Sequence, residues 1–324
     1  MYKRQDEEEA FKRINTGGYQ IYTTVDLEMQ KYVEEKYSDL NNLMDAESNS
    51  TWVDEDEDGE YEQLYPESAF IAMDYNGNIL SIAGGIGVKE KLLIFNRATM
   101  AKRQPGSCIK PITTYGLALY SDHIHWGSMY KDSPIKLEGE KWPENYDYVW
   151  RGYNMFIFEA LRESRNTVPA QLCQELTPQA VFNFATQNLN VDLVDITEEG
   201  ATDIAYAPLT VGALTYGISP QNLVNAYIPY GNGGTYCDAH IVSRVERGDG
   251  SVVYENDGNP HEAIDPETAY VMNHLLQEVI KNGTGTAAQL SNKTVAGKTG
   301  TSEDWNDLCF VGLTEDFVSG VWIG

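Results

Sequence analysis

The sequence predicts an α+β fold: a mainly antiparallel sheet covered by helices, with a helical subdomain in the middle. Three observations carry this. Ser68–Asp74 and Ile79–Ala83 are short apolar runs around Tyr75-Asn76-Gly77-Asn78, the pattern of a hairpin. A long stretch follows in which the start signals are those of helices. The chain then closes with three predicted strands, Thr294–Thr299, Leu308–Leu313 and Phe317–Ile323, joined by short turns. Short connections between consecutive strands favour antiparallel pairing.

The middle elements follow in order. Ser107 to Tyr120 has the spacing of a buried helix, with Ile109, Ile112, Leu117 and Leu119 among its apolar residues. Thr177-Pro178 and Ser219-Pro220 each set a capping hydroxyl before a proline at the first helical position. Asp265-Pro266-Glu267 does the same for a long helix that runs to about Asn282 and stops at Gly283. His240–Glu246 and Ser251–Glu255 flank Arg247-Gly248-Asp249-Gly250, a second hairpin.

A length of 324 residues allows one large domain or two ordinary ones, and 42% hydrophobic residues supply ample core. Lys and Arg number 23 against 49 Asp and Glu, a net charge of −26. So acidic a surface repels phosphate backbones, which argues against nucleic acid as a partner. No stretch approaches a membrane span, and Met1 to Ala10 lacks the apolar segment of a signal peptide. A soluble cytosolic protein and an exported domain cut from its anchor both fit. Cys108, Cys173, Cys237 and Cys309 lie far apart without CxxC spacing, so neither a zinc knuckle nor a dense disulfide framework follows, and a disulfide stays open.

Asp39 to Glu67 holds eleven acids and no Lys or Arg. Asp54, Asp56, Asp58 and Gly59 fit the start of a calcium loop, but Tyr65 stands at the twelfth position, where a bidentate Glu is needed. A solvated acidic insertion is the expectation. No G-x-x-x-x-G-K-[ST] loop is present, and Gly84-Gly85-Ile86-Gly87 is not a dinucleotide fingerprint.

Three motifs carry chemistry. In Arg103-Gln104-Pro105-Gly106-Ser107-Cys108-Ile109-Lys110-Pro111, a Pro-Gly turn delivers Ser107 to a helix start, with Lys110 three residues on and on the same face. A serine hydroxyl needs a base, and a lysine serves only if burial or another cation lowers its pKa. Alone, this pair also reads as an N-cap and a surface lysine. Glu163-Ser164-Arg165-Asn166-Thr167 sets a hydroxyl and an amide on one side of a turn between helices; alone, it is a plain turn. Ala296-Gly297-Lys298-Thr299-Gly300-Thr301-Ser302 ends one strand and offers a cation and two hydroxyls, with Gly300 expected to let a ligand backbone come close. Alone, it is a strand end with a tight turn. Cys108 faces away from Lys110 and reads as a buried thiol. Asp304 and Trp305 read as rim residues or as ordinary turn packing. The five histidines are scattered singly, which weighs against a Ser-His-Asp hydrolase.

Ser-x-x-Lys, Ser-x-Asn and Lys-Thr-Gly in this order, 57 and 134 positions apart, are the signature of the penicillin-recognising serine acyltransferases. Around them the chain resembles the transpeptidase domain of class A penicillin-binding proteins. The likeness lies in Gly18–Asp26, Arg103–Pro111, Pro143-Glu144-Asn145-Tyr146-Asp147, Tyr230-Gly231-Asn232-Gly233-Gly234-Thr235-Tyr236 and Gly297–Ser302. On this resemblance, residues 1–16 read as a linker remnant and 17–324 as the transpeptidase domain, with the acidic insertion at 39–67 and a truncated C-terminal end. The insertion is longer than the resemblance leads one to expect, and Cys108 is an unusual neighbour for the nucleophile.

The resemblance implies a D,D-transpeptidase that cross-links peptidoglycan stem peptides and is acylated by penicillin and other β-lactams. Ser107 would attack the carbonyl between two D-alanines, with Lys110 as its base. Ser164, with Lys298 near it, would hand a proton to the departing amine, and Asn166 would hold Lys110 and the substrate amide. Thr299 and Thr301, beside Gly300, would bind the terminal carboxylate, and the N–H groups of Ser107 and Thr301 would form the oxyanion hole. No cofactor or metal is needed. The parent protein would be anchored in the membrane, carry an upstream glycosyltransferase domain, meet cell-wall synthesis partners and work on the extracytoplasmic face. A D,D-carboxypeptidase or serine β-lactamase shares the three motifs, and a β-lactam sensor without turnover would use the same cleft. Gly18–Asp26 and Arg103–Pro111 favour the transpeptidase, and the intact motif residues speak against an inactive relative.

Overall fold

The computed structural model describes Glu9 and residues 12–324, apart from 54–60, Glu90, Leu92 and the side chain of Asp304. The calcium reading at Asp54–Gly59, most of the linker reading over 1–16 and the rim reading of Asp304 fall outside the described residues.

The organising element is a five-stranded sheet. Strands β1 (Ser68–Met73) and β2 (Ile79–Ala83) form the expected hairpin. Asp74 Oδ1 accepts the Asn76 and Asn78 N–H groups at 2.8 and 3.0 Å, and Gly77 turns the chain at φ +81. The chain returns to this sheet only at its end, as β3 (Ala296–Thr301), β4 (Leu308–Leu313) and β5 (Val318–Ile323). The order is β3-β4-β5-β1-β2, antiparallel throughout. One row across it reads Lys298, Val311, Gly320, Ile71. Strand β3 is therefore an edge strand, and the row that holds Lys298 is buried.

Each face of the sheet has its own cover. Helix α1 (Leu27–Tyr37) lays Val33 and Tyr37 on Ala83 and Phe70. Its Gln30 side chain pairs with both backbone groups of Ile82, which closes the free edge of β2. The other face carries the main core, in which Ile71, Met73, Ile109, Ile112, Tyr115, Leu275, Leu276 and Trp322 are buried together. The predicted caps hold. Asp265 Oδ1 accepts the Thr268 N–H at 2.8 Å to start the helix Pro266–Asn282, and Ser219 Oγ accepts the Asn222 N–H at 3.1 Å to start Pro220–Asn225.

Two elements differ from expectation. Ser107 to Tyr120 is not one helix: a 3₁₀ helix over Gly106–Ile112 gives way at Thr113 (φ −127) to helix α2 (Thr114–Tyr120). Pro111 has no N–H to continue an α-helical ladder. Thr113 Oγ1 bridges the break, lying 2.7 Å from Ile109 O and 2.8 Å from Leu209 O, with its one proton to share between them. The first closing strand runs two residues later than predicted, so the Lys-Thr-Gly motif lies inside β3. All four cysteines are free and buried.

The acidic segment has structure in its described part. Asp39 caps a 3₁₀ turn at Leu40–Asn42, Leu40 and Ala46 are buried, and Thr51–Val53 pairs with Glu62–Leu64. Glu67 is tied to the end of the sheet, since its backbone pairs with Gly324 at 2.9 and 3.0 Å and its half-buried carboxylate meets Arg97 at 3.1 Å. No helix among the described residues is long and apolar enough to cross a membrane.

Candidate active site

The Ser107 segment is placed by glycines. Gly106 sits at φ +49, where a Cβ would lie 2.5 Å from Thr301 O, and Gly212 sits at φ +79, where a Cβ would lie 2.2 Å from Gly106 O. Three backbones therefore meet at one point, which only glycine permits. The consequence is that the peptide before Ser107 lies directly against the end of β3. In a 3₁₀ helix residues i and i+3 eclipse, so Ser107 and Lys110 share a face more strictly than in an α-helix. Ser107 is half-buried and Lys110 fully buried.

Lys110 is caged by the turn between α3 (Ile157–Arg162) and α4 (Thr167–Leu176). Its Nζ lies 2.6 Å from Asn166 Oδ1, 2.9 Å from Ser164 O, 3.1 Å from Arg165 O and 3.5 Å from Ser164 Oγ. Burial pushes its pKa well below the ordinary lysine value, and the charges of Lys298 and Arg165 push the same way. Ser164 takes φ +55, rare for a residue with a side chain, and the turn is held by Ser164 N–H to Leu161 O at 3.0 Å and Arg165 N–H to Ala160 O at 2.8 Å.

Strand β3 brings the third motif. Lys298 is fully buried, and burial lowers its pKa to about 8. It donates to Ser164 Oγ at 2.9 Å and to Thr299 O at 2.9 Å. One hydroxyl thus lies between two lysines from two distant segments. Thr299 is half-buried and Thr301 exposed, both open to a ligand. Gly300 differs from expectation: a Cβ there would lie 2.1 Å from Pro105 O and 3.0 Å from Cys108 Sγ, so its missing side chain admits the protein's own Ser107 segment. The structure brings Ser164, Lys110, Asn166 and Lys298 into direct contact, with Ser107 and Thr301 joined through Gly106.

Comparison with known proteins places the chain in a family. A family model described as the penicillin binding protein transpeptidase domain matches residues 68–316. This chain belongs to that family. Penicillin-binding protein 1A of Clostridium botulinum (strain Langeland) is 31% identical over 334 residues, covering 99% of this chain and 38% of its own length. Penicillin-binding protein 4 of Bacillus subtilis is 29% identical, covering 99% of this chain and 47% of its own. The chain thus spans less than half the length of these curated relatives. Among solved structures, the PonA1 protein of Mycobacterium tuberculosis in complex with penicillin V has the same fold, with a TM-score of 0.76 at 24% identity over 99% of this chain and 81% of that one.

Sequence reasoning missed what supports the Ser164 turn of this transpeptidase domain. Arg165, the middle residue of the second motif, points away from the cleft and is fully buried. It meets Asp132 at 2.6 Å, also fully buried, and Asp147 at 2.7 Å. Asp132 further accepts from Thr167 Oγ1 at 2.6 Å and Asn145 Nδ2 at 3.1 Å. Burial alone would raise the Asp132 carboxyl, but these hydrogen bonds hold it below the usual carboxylate value. Asn145 Oδ1 accepts the Asn166 N–H at 2.8 Å, and Asn166 Nδ2 donates to Glu144 O at 2.7 Å. The stretch Pro143–Asp147 carried part of the resemblance, yet no role for it followed from sequence. Asp132 had no signal at all.

Two residues beside the motifs have plain roles. Cys108 is buried, with Sγ donating to Lys298 O at 3.2 Å, and burial pushes its thiol up to about 12, which leaves it inert as a nucleophile. Trp305 is 76% exposed at φ +62, so it is not packed into the turn.

Proposed function

We propose that this domain is a serine D,D-transpeptidase acylated by penicillin, with Ser107 as nucleophile. The observation that carries the reading is the Ser164 hydroxyl held 2.9 Å from Lys298 Nζ and 3.5 Å from Lys110 Nζ, two buried lysines of lowered pKa. Lys110, unprotonated, takes the proton as Ser107 Oγ attacks the carbonyl between two D-alanines. The negative oxygen that develops meets the N–H groups of Ser107 and Thr301. The C–N bond then breaks, and the departing D-alanine nitrogen receives the Ser164 proton. Lys298 donates to a lone pair of Ser164, which leaves the Ser164 proton free for this transfer. An amine of a second stem peptide then attacks the acyl-enzyme and gives one proton to the Ser164 oxygen; the ester bond to Ser107 breaks as the new amide forms, and Ser107 takes its proton back from Lys110. Thr299 and Thr301 hold the terminal carboxylate beside the Lys298 charge.

The place of action belongs to the same proposal. Stem peptides are cross-linked outside the cytoplasmic membrane, so the domain works on that face, alongside an upstream glycosyltransferase and an anchor in the parent protein. The likeness to penicillin-binding protein 1A supports this.

Intact-mass measurement after exposure to benzylpenicillin tests the assignment. One covalent adduct is expected, mapping to Ser107 and absent in Ser107→Ala. An adduct on Ser164 or Cys108, or one that survives Ser107→Ala, overturns it.

A further inference from the structure

Helix Pro266–Asn282 ends at Gly283, and the next residue, Thr284, joins the end of the helix before the second motif to the third motif. A Cβ on Gly283 would lie 2.4 Å from Arg162 O, and Thr284 N–H donates to that same carbonyl at 3.2 Å. Arg162 closes the helix that leads into Ser164. On its other side, Thr284 Oγ1 lies 2.7 Å from Thr299 Oγ1. Thr284 is exposed and Thr299 half-buried, so the hydroxyl pair is accessible to solvent beside the Lys-Thr-Gly strand.

We propose that Thr284 is a positioning residue for the substrate carboxylate, acting through Thr299. This rests on the transpeptidase reading above. Thr299 has one hydroxyl proton, and an anionic ligand can only accept it. Once that proton is committed, the hydrogen bond between the two hydroxyls has one direction left: Thr284 donates and Thr299 accepts. Thr284 therefore fixes the Thr299 rotor with its proton toward the ligand, and a chain of hydrogen bonds ending on a charge strengthens along its length. A methyl ester in its place also only accepts, but it is neutral and a weaker acceptor, so it draws less benefit from the pair. The turn after the long helix thus selects for a free C-terminal carboxylate, a task that the third motif does not perform alone.

The test compares acylation of the 324-residue chain by benzylpenicillin and by its methyl ester, followed long enough to measure the slower ester. Wild type, Thr284→Val and Thr284→Ser are compared. Valine keeps the branched shape and loses the hydroxyl; serine keeps the hydroxyl. The acid-to-ester ratio of second-order rate constants is expected to fall about three- to tenfold in Thr284→Val, the size of one neutral hydrogen bond, and to recover in Thr284→Ser. An equal loss on acid and ester, no loss, or failure of serine to restore the ratio overturns the proposal. Absence of any wild-type adduct overturns the transpeptidase reading itself, and the role of Thr284 with it.

Discussion

The two walls of the cleft are positioned by opposite means. The wall that carries Ser164 and Asn166 is a turn held by buried charge: Arg165 lies between Asp132 and Asp147, and Asn145 ties in the neighbouring loop. The wall that carries Lys298 is a strand held by its ladder, with Gly300 removing the volume that would keep it from Pro105. The first depends on satisfied charges in a low-dielectric interior, where a missing partner is costly. The second depends on the absence of atoms, and there an added atom is costly. The proposed ligand site lies between a wall sensitive to deletion and one sensitive to addition.

The deletion arm should give the largest effect. Arg165→Met leaves Asp132 buried without its cation, a class of change that costs about 3–5 kcal/mol. Urea unfolding should show a midpoint lowered accordingly, and penicillin acylation should fall with it, because the freed turn no longer cages Lys110. A variant with wild-type stability would mean that the charges do not hold this wall.

The addition arm comes next. Gly300→Ala places a methyl group 2.1 Å from a backbone oxygen, with no flexible side chain to move aside. Overpacking of this kind costs about 1–3 kcal/mol. Here the strain also separates Ser107 from Lys298, so the acylation rate should drop by more than the stability change explains. Equal acylation in Gly300→Ala and wild type would show that the two segments need not touch so closely.

A pH profile sharpens the comparison with the smallest change. In the proposed mechanism Lys110 acts as a free base, so the acylation rate should rise with pH through its depressed pKa. In the same proposal Lys298 acts with its proton on, so the rate should fall as pH passes about 8. The profile should be a bell with its alkaline limb near that value. Lys298→Arg keeps its charge at any such pH and should move the alkaline limb upward. A limb that stays near 8 in that variant belongs to another group.

The sequence alone determined the sheet-forming hairpin, the capped helices and the three motifs, because turn residues, caps and periodicity act over a few positions. Asp265-Pro266 and the stop at Gly283 needed no tertiary context to be read. It also determined that Ser107 and Lys110 share a face, although the helix expected there broke at Pro111. Tertiary structure alone decided what surrounds the lysines. Asp132 meets Arg165 across 33 positions, Thr284 meets Thr299 across 15, and Lys298 meets Ser164 across 134. No local pattern encodes such contacts, because a carboxylate or hydroxyl in sequence looks the same whether it faces water or a buried partner. The purpose of Gly300 was hidden for the same reason: what a missing side chain makes room for becomes visible only when the second backbone is in place.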